Sequence, residues 1–123
     1  MIMKRKILVV EDDESIRDIL RIMLMKAGFE VDDIKDGHNL LNGSASAPDL
    51  YLIDRQLSGV DGLDLCRHLK GEPTTAKTPV IILSATPGIE RLVNDAGASA
   101  FIEKPFTKKH RVETIESVIS KAR

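Results

Sequence analysis

The sequence predicts an α/β domain built on a doubly wound, five-stranded parallel sheet. Two observations lead there. Short apolar runs alternate from end to end with segments of helical periodicity, the pattern of a parallel sheet covered on both faces. Four of those runs also end in polar residues of complementary chemistry, which neighbouring parallel strands would gather around one crevice. With 123 residues, the chain has room for one domain with a real core and too little for two.

The first strand is Ile7-Leu8-Val9-Val10, running into Glu11-Asp12-Asp13. A helix follows over Ser15 to Ala27, with Ile16, Ile19, Leu20, Met23 and Leu24 as one apolar stripe. Asp12, Asp13, Glu14 and Ser15 offer capping groups and favourable negative charge at its start, and Gly28 stops it. Phe29 to Ile34 is a short strand whose acidic residues suit a sheet edge. Asp36-Gly37 then turns into a weak helix around His38 to Asn42, bounded by Gly43 to Pro48. Strand three, Leu50-Tyr51-Leu52-Ile53, ends at Asp54. The turn-prone pairs Ser58-Gly59 and Asp61-Gly62 lead into a helix from Leu63 to Lys70, with Leu65, Cys66 and Leu69 on one side. Between Pro73 and Pro79 lies a loop, then the strand Val80 to Leu83, ending at Ser84. Thr86-Pro87-Gly88 opens a short helix through Asp95, closed by Gly97. The last strand, Ala100 to Glu103, passes Lys104-Pro105 into a helix from Thr107 to Lys121 with Val112, Ile115, Val118 and Ile119 as its buried stripe. Strand order 2-1-3-4-5 follows, because the polar residues end strands one, three, four and five, and strands one and three then flank the switch point.

Composition excludes several classes. A hydrophobic fraction of 42% and a charged fraction of 30% are those of an ordinary globular domain. The net charge of −1 favours neither direct nucleic-acid binding nor an anionic membrane. No apolar stretch approaches the ~20 residues of a membrane span, and the basic start is not followed by a signal-like apolar region. The single cysteine, Cys66, permits no internal disulfide, so a cytoplasmic location is expected.

Gathered at one rim, Glu11, Asp12 and Asp54 would repel one another, and a hard divalent ion is the simplest relief. Mg2+ suits such an oxygen-only site, taking one or two carboxylates, several waters and a phosphate oxygen. Lys104 would neutralise charge on a transferring group, and Ser84 would donate a hydrogen bond to it. Asp54, between the acidic pair and Ser84, is the best-placed nucleophile for an acyl phosphate. Taken singly, each residue has a plainer reading: Asp13, Glu11 or Asp12 as helix caps, Asp54 as a turn residue, Ser84 as a strand-end hydroxyl, Lys104 as a solvated lysine. The joint arrangement, with one element per βα unit, argues for the site. His38, His68 and His110 share no ligand-like spacing, and there is no GxGxxG or GxxxxGK[ST]. Cys66 belongs to a core stripe, and the basic cluster Lys108, Lys109, His110, Arg111 reads as a solvated face.

These residues carry a family resemblance. The segments ILVVEDDESIRDIL, PDLYLIDRQLSGVDGLDLCRHLK, TPVIILSAT and GASAFIEKPF make the whole chain resemble receiver domains of two-component response regulators, with their flavodoxin-like fold, in the single-domain chemotaxis-type form. The resemblance implies that Asp54 takes a phosphoryl group from a phosphohistidine on a histidine kinase or histidine phosphotransfer protein. It implies Mg2+ bound by Asp12 directly, by Glu11 through water, by Asp54 and by the backbone carbonyl of Gln56. Ser84 looks like the switch hydroxyl, Lys104 the phosphoryl partner and Phe101 the switch aromatic; the Lys104-Pro105 bond, with Pro105 structural, is often cis in the family. Output toward a downstream protein target is expected from the helix after strand four, strand five and the last helix, by population shift. Dimerisation through that face is common in the family. With no further domain in the 123 residues, output is expected through protein contacts or phosphate relay.

Two positions and the length of one stretch depart from the family pattern. Ser58 stands where proline is common, Phe101 replaces the commoner tyrosine, and the stretch from Ser84 to Lys104 is shorter than in DNA-binding members. Gln56 and Thr86 occupy positions that tune dephosphorylation. The chief alternative is an enzyme, a small Mg-dependent phosphatase with an aspartyl nucleophile resembling haloacid-dehalogenase-type hydrolases. Those place nucleophile and acid together after the first strand and usually add a cap domain. A flavodoxin-like mononucleotide binder would need a hydroxyl- or glycine-rich phosphate loop where Glu11-Asp12-Asp13 stands.

Overall fold

The computed structural model describes residues 5–35, 37, 40, 48–57, 59–104 and 108–121, with the side chains of the last helix described over 113–119. Five strands, β1 (Lys6–Val10), β2 (Glu30–Ile34), β3 (Leu50–Asp54), β4 (Val80–Ser84) and β5 (Ala100–Glu103), form one parallel sheet. Their order is β2-β1-β3-β4-β5, as the sequence predicts. Among the described residues the helices are α1 (Glu14–Lys26), α2 (Gly62–Gly71), α3 (Glu90–Asp95) and α4 (Lys108–Lys121). None of the described helices is long and apolar enough to cross a membrane.

Because side chains alternate across a strand, the apolar runs divide between the two faces of the sheet. Ile7, Val9, Leu50, Leu52, Ile81, Leu83 and Ile102 meet Leu20, Met23 and Leu24 of α1 and Ile115 and Ile119 of α4. Val10, Tyr51, Ile53, Val80 and Ile82 meet Leu65, Cys66 and Leu69 of α2 and Val93 of α3 on the other face. Central β3 and β4 are therefore buried at every position, and each Leu or Ile taken out of water there contributes roughly 1.5–3 kcal/mol. Edge strand β2 stays partly exposed, which its Glu30, Asp32 and Asp33 tolerate.

Two expectations are corrected. Ile19 is not part of the α1 core stripe: it is 56% exposed and lies with exposed Ile22 and Met25. At 100° per residue, a helix resting on a sheet by one side buries Leu20 and Leu24 and turns Ile19 outward. The helix after β4 begins at Glu90 rather than at Thr86, because Gly88 adopts φ 73°, a left-handed conformation that no helix interior accepts. The helix expected around His38 to Asn42 lies outside the described residues apart from Leu40, which is buried in the core.

Candidate functional site

The strands end level at one rim. Asp54 pairs with Leu83 and Ser84 with Glu103 in the parallel register. The ladder continues one residue further on β1, β3 and β5: the amide of Arg55 donates to the Leu83 carbonyl (2.9 Å), that of Lys104 to Ser84 (2.8 Å) and that of Glu11 to Ile34 (3.1 Å). The backbone entering each loop is thus set by the sheet, and the loops inherit its rigidity. Asp13 caps α1, accepting from the Ile16 amide at 3.0 Å, and Asp61 caps α2, accepting from Leu63 at 2.8 Å.

Lys104 Nζ lies 2.5 Å from Asp54 Oδ2 across the rim, and the Gln56 amide donates to Asp54 Oδ1 at 2.9 Å. Asp54 is 3% exposed and Glu11 1% exposed. Glu11 Oε1 accepts from the Asp13 amide at 3.3 Å, whereas its buried Oε2 accepts none from the described residues. Ser84, also buried, accepts from the Thr86 amide at 3.0 Å, which leaves its own hydroxyl hydrogen available to another acceptor. Phe101 is half-buried against the core face that holds Tyr51 and Ile82.

The two buried carboxyls are driven apart in acidity. Burial, then sharing of a proton with Asp54 and repulsion by its charge, pushes Glu11 up to about 8. Burial also acts to raise Asp54, but hydrogen bonds from Glu11, Lys104 and the Gln56 amide together outweigh it and hold Asp54 below the usual carboxylate range. The site thus carries an ionised Asp54 beside a Glu11 that retains a proton at neutral pH.

By keeping its proton Glu11 avoids a second buried negative charge beside Asp54, and a cation could take that proton's place. The donors brought together are oxygen only, Glu11 and Asp54; Asp12, exposed in the turn after Glu11, is not gathered with them as the sequence leads one to expect. Among the described residues no three His, Cys, Asp or Glu side chains gather into a ready-made metal cluster. That arrangement still fits Mg2+, which takes one or two carboxylates and keeps several waters.

Glu11, Asp54 and Lys104 come together, with Ser84 at the end of the adjoining strand and Asp12 at the exposed turn. Gln56 contributes backbone, pairing with Asp61 in an isolated antiparallel bridge while its side chain points to solvent. Pro105, its peptide bond and Ser58 lie outside the described residues. Cys66 is core, its thiol donating to the Ala96 carbonyl at 3.4 Å. Two residues escaped the sequence reading. A Cβ at Gly62 would stand 2.2 Å from the Asp54 carbonyl oxygen, so the backbone carrying Asp54 packs directly on α2. Arg17, one turn into α1, donates from Nη1 to the Glu11 carbonyl at 2.9 Å. Neither is visible in spacing alone, since a helix-start glycine and a helix arginine are commonplace.

Comparison with known proteins places these features in context. Residues 7–116 match the response regulator receiver domain family. The chain is 38% identical over 122 residues to the phosphate regulon transcriptional regulatory protein PhoB of Escherichia coli (strain K12), covering 95% of this chain and 52% of that protein. It spans about half the length of the curated relatives it matches. The fold is similar to the signal receiver domain of a signal transduction histidine kinase from Syntrophus aciditrophicus, with TM-score 0.86, 29% identity and coverage of 95% and 91% of the two chains. It also matches the fold of the receiver domain of sensor histidine kinase PA1611 from Pseudomonas aeruginosa PAO1, a structure with a magnesium ion coordinated in the active site cleft (TM-score 0.85, 24% identity, 96% and 99% covered). This chain belongs to the response regulator receiver domain family.

Proposed function

We propose that the domain is a phosphorylatable switch that accepts a phosphoryl group on Asp54 from a phosphohistidine of a histidine kinase or histidine phosphotransfer protein. One observation supports the reading: Asp54, ending a central strand, faces Lys104 Nζ at 2.5 Å and the Gln56 amide at 2.9 Å, and lies beside buried Glu11. An ionised carboxylate fixed by two partners is a pre-oriented nucleophile.

An Asp54 oxygen attacks phosphorus in line with the leaving imidazole nitrogen; the O–P bond forms as the P–N bond breaks, and the imidazole leaves with the electron pair. Lys104 shifts from the carboxylate to a phosphoryl oxygen, and the Ser84 hydroxyl hydrogen, not engaged by Thr86, donates to another. Glu11, Asp12, Asp54 and the Gln56 carbonyl would hold Mg2+, which when bound offsets the combined negative charge of carboxylates and phosphoryl oxygens. The magnesium ion in the active site cleft of the PA1611 receiver is in keeping with a Mg2+ site in this fold. A bound cation would replace the proton that Glu11 otherwise retains.

Output is proposed to pass to a protein target through α3, β5 and α4, with half-buried Phe101 as the aromatic whose packing responds to the drawing-in of Ser84. A cytoplasmic setting suits a partner that carries phosphohistidine and the one buried free thiol, Cys66.

The test is intact mass after treatment with acetyl phosphate. One added phosphoryl group per chain is expected, lost in Asp54→Ala or when magnesium is removed. Repeated turnover of a phosphomonoester such as p-nitrophenyl phosphate, without stable labelling, would instead identify an aspartyl-nucleophile phosphatase.

A further inference from the structure

We propose that Arg17 is a positioning residue for the acidic cup, working through the backbone of Glu11. The inference rests on the reading that this cup binds Mg2+.

Glu11 and Asp12 lie in the turn between β1 and α1, and each would offer a carboxylate to the ion. The Glu11 carbonyl belongs to the peptide unit that leads directly into Asp12. Holding that oxygen restrains the planar unit that joins Glu11 to Asp12, and so limits how the turn carrying both side chains can rotate. The Glu11 amide is anchored to the Ile34 carbonyl at the end of β2 (3.1 Å). Among the described residues the carbonyl has no strand partner, and it is held by Arg17 Nη1 at 2.9 Å, a charge-assisted hydrogen bond.

Arg17 is itself held. Its Nε lies 3.5 Å from Asp33 Oδ2 on β2, and Arg21 Nε approaches the same oxygen at 3.7 Å. The Arg17 side chain is 18% exposed and that of Asp33 28%, so the contact is partly withdrawn from water. Edge strand β2 therefore reaches the cup twice, through the Ile34 carbonyl and through the Asp33–Arg17 pair. The acidic residues of an otherwise plain edge strand gain a purpose: Asp33 orients the guanidinium fork, and the fork orients the turn.

Charge and position make opposite forecasts here. A cation beside a metal site repels Mg2+, so on electrostatic grounds alone a neutral residue at position 17 tightens metal binding. If Arg17 instead holds the turn, removing it lets the Glu11–Asp12 peptide rotate and weakens metal binding. Loss of a partner that orients metal ligands costs about 10- to 100-fold in affinity.

The deciding experiment is isothermal titration of the full chain with MgCl2, comparing wild type, Arg17→Gln and Arg17→Lys, with urea unfolding as the check on folding. Arg17→Gln is expected to weaken the Mg2+ Kd by about tenfold. Arg17→Lys keeps the charge but cannot hold the carbonyl and Asp33 together, and is expected to fall between the two. An Arg17→Gln protein that folds and binds Mg2+ as tightly as wild type, or more tightly, overturns the proposal. Should Arg17→Gln not fold, Arg17→Lys decides, and a Kd equal to wild type overturns it. Failure of the wild-type chain itself to bind Mg2+ would instead refute the reading of the cup.

Discussion

Replacing Glu11 by glutamine should change how the stability of this domain depends on pH, and the size of the effect follows from the site. Glu11 moves from an ordinary 4.5 to about 8 on folding, chiefly because it is buried. A carboxyl raised in this way binds a proton in the folded state that the unfolded chain has already released. Its contribution is therefore neutral below pH 4.5 and grows more unfavourable as pH rises toward 8. The slope across that window is about 1.4 kcal/mol per pH unit, and the cost at pH 7.5 reaches about 4 kcal/mol. That is a large part of the ~5–15 kcal/mol that holds a domain folded. Asp54 shifts the other way, but its window lies below its ordinary 3.8 and does not overlap. Glutamine keeps the shape and neutrality of the protonated acid and cannot ionise. Urea unfolding in EDTA, followed by far-UV circular dichroism at pH 5, 6, 7 and 8, should show wild-type stability falling with pH while Glu11→Gln stays level. Added MgCl2 at pH 8 should restore the wild type, by about 2.7 kcal/mol at a hundredfold excess over Kd, and leave Glu11→Gln nearly unchanged. Parallel pH profiles for the two proteins would refute the claim that Glu11 is buried with a retained proton.

Three further outcomes follow. Lys104→Ala should slow labelling by acetyl phosphate by about 100-fold or more, measured by intact mass against time, because it removes the cation facing both Asp54 and the incoming phosphoryl group. Gly62→Ala should destabilise the domain by about 2 kcal/mol or more in urea unfolding and depress labelling as well, since its Cβ would collide with the Asp54 carbonyl oxygen at 2.2 Å. Leu52→Ala, fully buried in β3 with its side chain on the face covered by α1 and α4, should cost about 2–5 kcal/mol while Mg2+-dependent labelling persists in the folded fraction.

Much of the fold was legible because its signals are local. Apolar runs of strand length alternate with helical stripes, and Gly28, Gly97, Asp13 and Asp61 punctuate them by mechanisms that act within a turn of chain. Errors fell where a local pattern allowed two outcomes. Ile19 is as apolar as Leu20, and only the direction from which the sheet meets α1 decides that one is buried and the other exposed. Thr86-Pro87-Gly88 resembles a helix start, yet Gly88 takes a left-handed conformation and delays α3 to Glu90.

For the site, sequence alone determined the inventory and the rim: carboxylates after strands one and three, a hydroxyl after four, an ammonium after five. That followed because parallel strands with one functional residue at each carboxyl end have a single edge on which to display them. Only the tertiary structure decided which of those groups lose their water and which meet. Glu11 is buried while its neighbour Asp12 is exposed, Lys104 closes on Asp54 from fifty positions away, and Arg17 reaches back to hold the turn between them. Desolvation and contact depend on strand register and on how α1 lies across the sheet, and neither is encoded within any one stretch of residues.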